Sequence, residues 1–200
     1  MRIFQHQEGK SMGNDWKAAW QPLMDAVGQD FSEGRVVNGA DVVTAATIRR
    51  YLEPLEFDCP LHYDADVAKE FGYDDVIAPN TSIQTFSLPP MWAPGQTIFE
   101  NVDRNAQPAT TAIAGFKSPL EPPTTGFFAT DYEAEYLLPV TVGDRLYRHG
   151  AKLVNCLPKE TKVGRGAFLT WEMEIRNQRN EVVARTRSTW LRYNPHEAAL

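Results

Sequence analysis

The chain has 200 residues, of which 42% are hydrophobic and 23% are charged, and its formal net charge is −6 at pH 7. This length suits roughly one domain of about 150 residues, and the composition excludes a disordered chain, a collagen-like repeat and a coiled coil. No dense block of Lys and Arg indicates nucleic-acid binding, and no apolar window of about 18 residues indicates a membrane span.

The polar N-terminal residues lack the apolar core of a signal peptide. The two cysteines, Cys59 and Cys156, provide neither a disulfide framework nor a metal site by themselves. We therefore expect a soluble cytoplasmic protein.

Four segments in the first half of the chain have helical spacing of apolar residues, and each is bounded by capping residues, Gly or Pro. The predicted helices cover residues 16–27, 45–53, 65–71 and 81–88. The first is expected to bury one apolar face. That face comprises Trp16, Trp20, Leu23, Met24 and Val27.

The second half has the alternating pattern of β-strands. The predicted strands cover residues 127–140, 146–157, 167–176 and 182–193, with a tight turn at 177–180. Between the two halves, residues 92–125 are rich in Pro, Thr, Asn and Gly, and only 110–116 have strand character. Helices followed by antiparallel strands predict an α+β fold. The predicted division is an N-terminal helical extension at 1–34 and one domain at 35–195.

Reactive side chains are densest between the second and third predicted helices, in residues 56–64. Asp58 and His62 lie on one tight turn there, and such a pair can act as general acid and base. A purely structural interpretation stays open at this point, in which Asp58 caps a turn, Asp64 caps the next helix and His62 lies in the core.

The surroundings of His62 resemble the MaoC-like dehydratases, which include the (R)-specific enoyl-CoA hydratases, and in particular their N-terminal-type dehydratase domain. The similar segments occur in the order of that family, over about residues 35 to 193. They are Ile48-Arg49-Arg50-Tyr51-Leu52-Glu53, Pro60-Leu61-His62-Tyr63-Asp64, Ala68-Lys69-Glu70-Phe71-Gly72-Tyr73, Val76-Ile77-Ala78-Pro79, Tyr136-Leu137-Leu138-Pro139-Val140-Thr141-Val142-Gly143-Asp144 and the closing hairpin at 177–192.

The resemblance implies a hotdog fold, in which a long antiparallel sheet wraps a central helix, here residues 81–88. It also implies reversible addition of water across a 2-enoyl thioester. The family motif is Asp-x-Asn-Pro-Leu-His, and His62 matches its histidine. Without a gap the motif places Phe57 at the acid and Cys59 at the Asn, so Asp58 is the equivalent acid only in a loop one residue shorter.

The resemblance further implies that the backbone N–H of Asn80 polarises the thioester carbonyl, with Pro79 and Thr81 beside it in the substrate site. The implied partners are an acyl-CoA or acyl-carrier thioester and a second hotdog chain, either a copy of this one or a different one. We expect no cofactor and no metal, because the sequence offers no set of three ligands.

Two main functions follow. The first is an enoyl-CoA hydratase, or hydroxyacyl thioester dehydratase, in which Asp58 and His62 are the acid/base pair. The second is a non-catalytic subunit that shapes the acyl pocket for a catalytic partner chain. The retained Pro60-Leu61-His62 favours the first, and it makes a plain thioesterase on the same fold the weaker alternative.

Overall fold

The computed structural model describes residues 16–99, 101–106, 108 and 116–196. Five antiparallel strands form one sheet in the order β1-β3-β4-β5-β2. The strands are β1 (Val36–Val42), β2 (Gly126–Tyr136), β3 (Arg145–Thr161), β4 (Gly164–Arg176) and β5 (Val182–Pro195). The α-helices are α1 (Gln21–Asp25), α2 (Ala45–Leu52), α3 (Ala65–Glu70) and α4 (Ile83–Phe86).

The inner face of the sheet carries two hydrophobic clusters, one at each end of the long strands. The first lies under α2 and α4 and contains Val43, Ile48, Leu52, Val76, Ala78, Ile83, Val140, Leu146, Ile175, Val183 and Ala184. The second lies under the N-terminal residues and contains Trp20, Leu23, Leu153, Cys156, Ala167, Leu169, Trp171 and Trp190. Leu169, Trp171 and Ile175 alternate along β4, so both clusters share one face of that strand.

Local side-chain hydrogen bonds start the two helices that flank the candidate turn. Thr44 and Thr47 form a reciprocal capping box at the start of α2. The Asp64 carboxylate accepts the backbone N–H groups of Asp66 and Val67 at the start of α3. These caps fix where α2 and α3 begin on either side of residues 56–63.

The central helix is shorter than the sequence pattern predicts. A 3₁₀ turn, Asn80–Ser82, leads into the four residues of α4, and the helix ends before Pro89. Ile83 is fully buried and Phe86 packs against the first cluster, so this short helix still fills the centre of the curved sheet.

The predicted α+β arrangement and its four strands are confirmed, with ends that differ by a few residues. Strand β1 is absent from the sequence prediction. The apolar face predicted for the first helix is wrong in part, because Trp20 and Leu23 are buried while Met24 and Val27 are exposed. The strand character noted at 110–116 falls almost wholly outside the described residues, and the division of the chain at residue 34 stays a prediction.

No helix among the described residues is long and apolar enough to cross a membrane.

Candidate functional site

The candidate catalytic histidine lies on a 3₁₀ turn, Pro60–His62, between α2 and α3. The His62 side chain is buried, with 9% of the residue exposed. Its Nδ1 lies 2.8 Å from the carbonyl oxygen of Ile77. A carbonyl can only accept, so Nδ1 carries the proton and donates, which leaves Nε2 of the neutral imidazole as an acceptor. The tautomer with the proton on Nδ1 is the one in which Nε2 can act as a general base.

The phenyl ring of Phe57 lies beside the His62 imidazole. The ring centroids of Phe57 and His62 are 5.6 Å apart, with 33° between the planes. The Phe57 side chain therefore points toward His62. In the ungapped match to the family motif, Phe57 is the residue at the position of the acid.

The Asp58 carboxylate is held by a different partner. Its Oδ1 accepts a hydrogen bond of 2.5 Å from the Tyr63 hydroxyl. This hydrogen bond, together with the negative charge of Asp58, raises the pKa of Tyr63. Ionisation of the hydroxyl would break the bond and bring two negative charges together. Both residues are exposed, and in the described part of the chain no hydrogen bond joins Asp58 to His62. The structure therefore places Asp58 and His62 on one turn without pairing them.

The start of the central helix presents free backbone donors. The carbonyl of Pro79 accepts the Ser82 backbone N–H at 2.8 Å and the Ser82 hydroxyl at 2.6 Å, which fixes the 3₁₀ turn. The backbone N–H groups of Asn80 and Thr81 have no acceptor among the described residues, and both residues are exposed. Such N–H groups at the start of a helical turn suit a carbonyl oxygen that gains negative charge.

A short extended segment joins the histidine turn to these donors. The Ile77 N–H donates to the Leu61 carbonyl at 3.0 Å, and the Ile77 carbonyl accepts from Nδ1 of His62. Ala78 donates to the Val140 carbonyl at 2.7 Å, which ties the same segment to the sheet. His62 and Asn80 are thus positioned by neighbouring residues of one fixed segment.

Ile77 orients the candidate histidine, and reasoning from the sequence did not single it out. The Val76-Ile77-Ala78-Pro79 segment is visible as part of the family pattern, but the hydrogen bond uses a backbone carbonyl, which leaves no side-chain signature. Among the described residues, no group of three or more His, Cys, Asp or Glu side chains is arranged to hold a metal ion.

The architecture is that of the hotdog hydratases and dehydratases. The structure superimposes on the crystal structure of the ChsH1-ChsH2 complex from Mycobacterium tuberculosis with a TM-score of 0.62, covering 93% of this chain and 95% of that chain at 19% identity. The R-hydratase PhaJ1 from Pseudomonas aeruginosa matches with a TM-score of 0.52, covering 84% and 88% of the two chains at 13% identity. The expected fold class is confirmed.

The family model described as "FAS1-like, dehydratase domain region" matches residues 25–186, so the chain belongs to this MaoC-like dehydratase family. A curated relative, a probable enoyl-CoA hydratase alpha subunit from Thermomonospora curvata, is 28% identical over 169 residues. That match covers 84% of this chain and 50% of the relative, so the chain spans about half the length of the curated protein.

Proposed function

We propose that the chain is a subunit of an enoyl-thioester hydratase, which reversibly adds water to a 2-enoyl-CoA or 2-enoyl-carrier thioester and yields the 3-hydroxyacyl thioester. In this proposal a second hotdog chain completes the enzyme and supplies the water-activating acid/base pair. Membership of the dehydratase family supports the reaction class. The curated relative named as an alpha subunit supports the heteromeric assembly.

The contact between Phe57 and His62 is the observation that carries the subunit role. Addition of water needs a carboxylate and an imidazole that both reach one water molecule, with heavy atoms within about 3 Å. Here a phenyl ring lies beside the imidazole. Asp58 is hydrogen-bonded to Tyr63, and Asp64 caps α3. The chain keeps the histidine of the family motif, and among the described residues no acid is hydrogen-bonded to it.

The proposed contribution of this chain is to bind and polarise the thioester. The free N–H groups of Asn80 and Thr81 are suited to hold the carbonyl oxygen, while buried Pro79 fixes the turn that presents them. These N–H groups can hold the thioester carbonyl whichever chain of a dimer supplies the acid/base pair.

A second candidate function is hydration by this chain alone, and one observation favours it. His62 is buried, and its hydrogen bond to the Ile77 carbonyl orients the ring and leaves Nε2 free to accept a proton. Rotation of the exposed Asp58 side chain away from Tyr63 would then have to bring its carboxylate to the water that His62 binds.

Two substitutions in the turn distinguish the candidates. If Phe57 occupies the position of the acid, Phe57→Asp restores a pair and raises crotonyl-CoA hydration by the isolated chain at least about tenfold, a small part of the roughly 10²- to 10⁴-fold share of general acid–base catalysis. Phe57→Asn is the matched control, because it has nearly the same shape without the charge. Asp58→Asn leaves the rate of the isolated chain unchanged.

The opposite result supports hydration by this chain alone. In that case the wild type is active by itself, and Asp58→Asn or His62→Ala lowers kcat by about 10²- to 10⁴-fold with little change in KM. The assay is the loss of absorbance of the enoyl thioester.

A further inference from the structure

A cavity of about 210 Å³ lies on the inner face of the sheet, away from the residues of the proposed catalytic site. Val37, Arg148 and Ile175 are direct neighbours across β1, β3 and β4, so their side chains share this face. The cavity opens where neither hydrophobic cluster covers the sheet. Its lining residues are Ser32, Arg35, Val37, Pro89, Phe116, Arg148, Gly150, Ala151 and Met173.

Arg148 brings an unpaired positive charge into this cavity. Its Nε donates to the Ser87 hydroxyl at 3.1 Å, and its Nη2 donates to the Gln84 carbonyl at 3.0 Å. A guanidinium has five N–H groups, so most of them remain available. No salt bridge joins Arg148 to a carboxylate of the described residues, and burial lowers its pKa because desolvation penalises the charged form.

The other charged groups around the cavity do not neutralise Arg148. Arg35 adds a second guanidinium, which is mostly exposed and lies 3.8 Å from the exposed Glu33 carboxylate. Asp30 lies beside Gly150, where its Oδ1 accepts the backbone N–H groups of Ser32 and Ala151, and no salt bridge joins it to Arg148. Among the residues that the structure describes, the cavity wall therefore contains cations and no carboxylate.

We propose that this cavity binds a small carboxylate with a short apolar chain. The planar fork of Arg148 matches the two oxygens of a carboxylate, and a half-buried cation without a counterion gains most from such a ligand. Val37, Phe116 and Met173 provide apolar walls. At ~30 Å³ per small group, the volume holds roughly seven non-hydrogen atoms, which suits an acid of five or six carbons.

Calorimetric titration of the full chain with hexanoate tests the proposal, with hexan-1-ol as the neutral ligand of equal chain length. We expect hexanoate to bind at least tenfold more tightly. Arg148→Gln removes that preference. Val37→Phe fills the cavity from its partly exposed wall, keeps Arg148 in place and weakens both ligands. Arg187→Gln, which removes an exposed Arg paired with Glu172 elsewhere on the sheet, changes neither.

Equal binding of hexanoate and hexan-1-ol would overturn the proposal, as would hexanoate binding that survives Val37→Phe. The second variant decides the matter if Arg148→Gln does not fold, which circular dichroism reports. The titration uses no thioester, so it is independent of the hydratase assignment. If an ω-carboxyacyl-CoA competes with hexanoate, the carboxylate that the cavity binds is the far end of an acyl chain. If both ligands bind at the same time, the cavity binds a free acid.

Discussion

The two cysteines differ in how readily they can react. Cys59 is half-buried beside the Pro60–His62 turn, whereas Cys156 is buried in the second hydrophobic cluster. Burial, with a smaller contribution from the negative charge of Glu121, raises the pKa of the Cys156 thiol to about 11. The thiolate is the reactive form, so Cys156 has about 10⁻³ of its molecules in that form near pH 8.

We therefore predict that iodoacetamide near pH 8 adds one carbamidomethyl group to the native chain, at Cys59. Intact-mass measurement followed by peptide mapping identifies the modified residue. In urea both cysteines are modified, which controls for reagent quality, and Cys59→Ser abolishes rapid native labelling. Rapid modification of Cys156 in the native chain would contradict the structure.

Glu121 gives the stability of the protein a pH dependence of unusual sign. Burial raises the pKa of this carboxyl above its ordinary 4.5, although the Ser118 N–H and the nearby Arg192 act in the opposite direction. The Glu121 Oε2 lies 3.5 Å from Nε of Arg192, and neither atom has a hydrogen-bond partner among the described residues. At pH values between the unfolded pKa and the raised folded pKa, the Glu121 carboxyl is protonated in the folded protein and ionised in the unfolded chain.

The free energy of unfolding therefore falls as the pH rises from the unfolded pKa through the raised folded pKa. Glu121→Gln removes this contribution while it keeps the oxygen that accepts the Ser118 N–H. We predict that Glu121→Gln gains stability relative to the wild type between about pH 4 and about pH 7. Urea unfolding at both values measures the difference, with Glu160→Gln as the exposed control. A constant difference would contradict the prediction.

The sequence identifies the candidate histidine, but it does not show where the side chains of the neighbouring residues point. His62 could be found from its residue type and from Pro60-Leu61 before it. The direction of Phe57 could not, because Glu56 adopts a left-handed backbone conformation, with φ of 49°. A non-glycine residue in that conformation redirects the chain at the start of the turn, so regular alternation of side chains does not apply there.

Strand β1 shows why one element could not be found from sequence. Its residues, Val36–Val42, include Asn, Gly and Asp, which are depleted in strands, and they show no alternation of apolar and polar residues. The strand forms because β3 pairs with it at the edge of the sheet. The later strands could be predicted because their alternation reflects burial of one face.

Gly39 is the residue of β1 that the packing requires. A Cβ at this position would lie 2.5 Å from the carbonyl oxygen of Phe86 at the end of α4 and 2.9 Å from that of Leu146 on β3. Both contacts are with backbone atoms, which cannot move without shifting the central helix or the neighbouring strand. The absence of a side chain lets β1, β3 and α4 approach one another.

We predict that Gly39→Ala lowers the free energy of unfolding by about 1–3 kcal/mol, the usual cost of overpacking. The neighbouring Asn38 is exposed, so Asn38→Ala is the control and should change stability by less than about 0.5 kcal/mol. Urea unfolding of the two variants gives both values. Equal stability of Gly39→Ala and the wild type would show that the approach of α4 to β1 is looser than described.

At the scale of the whole molecule, the charged face of the sheet indicates where a partner does not bind. Cross-strand ion pairs lie there on partly or largely exposed side chains, including Glu172 with Arg187 at 2.8 Å and Glu135 with Arg185 at 3.0 Å. Packing a second sheet face to face on these pairs would remove charges from water at high cost. The edge of the sheet is the more favourable surface.

Strand β2 is one of the two edges of the described sheet, because it pairs with β5 alone, and β1 is the other. Aromatic residues of a sheet favour a partner only where they are exposed. Trp171 and Trp190 are buried within the chain and need no partner. The exposed aromatic residues lie along the free edge strand, and they are Phe127, Phe128, Tyr132 and Tyr136.

We predict that the chain associates through β2, either with a copy of itself or with a second hotdog chain. A free strand edge flanked by exposed aromatic residues pairs readily with another strand, and a Lys on the edge opposes such pairing. If the partner is a copy of the chain, light scattering at micromolar concentration should give at least twice the 22.5 kDa of one chain. Tyr136→Lys should reduce the mass to that of one chain, whereas Val163→Lys, in the exposed turn between β3 and β4, should not.

A wild-type mass of 22.5 kDa in the absence of a partner would exclude self-association. An oligomer that is unaffected by Tyr136→Lys would place the interface elsewhere.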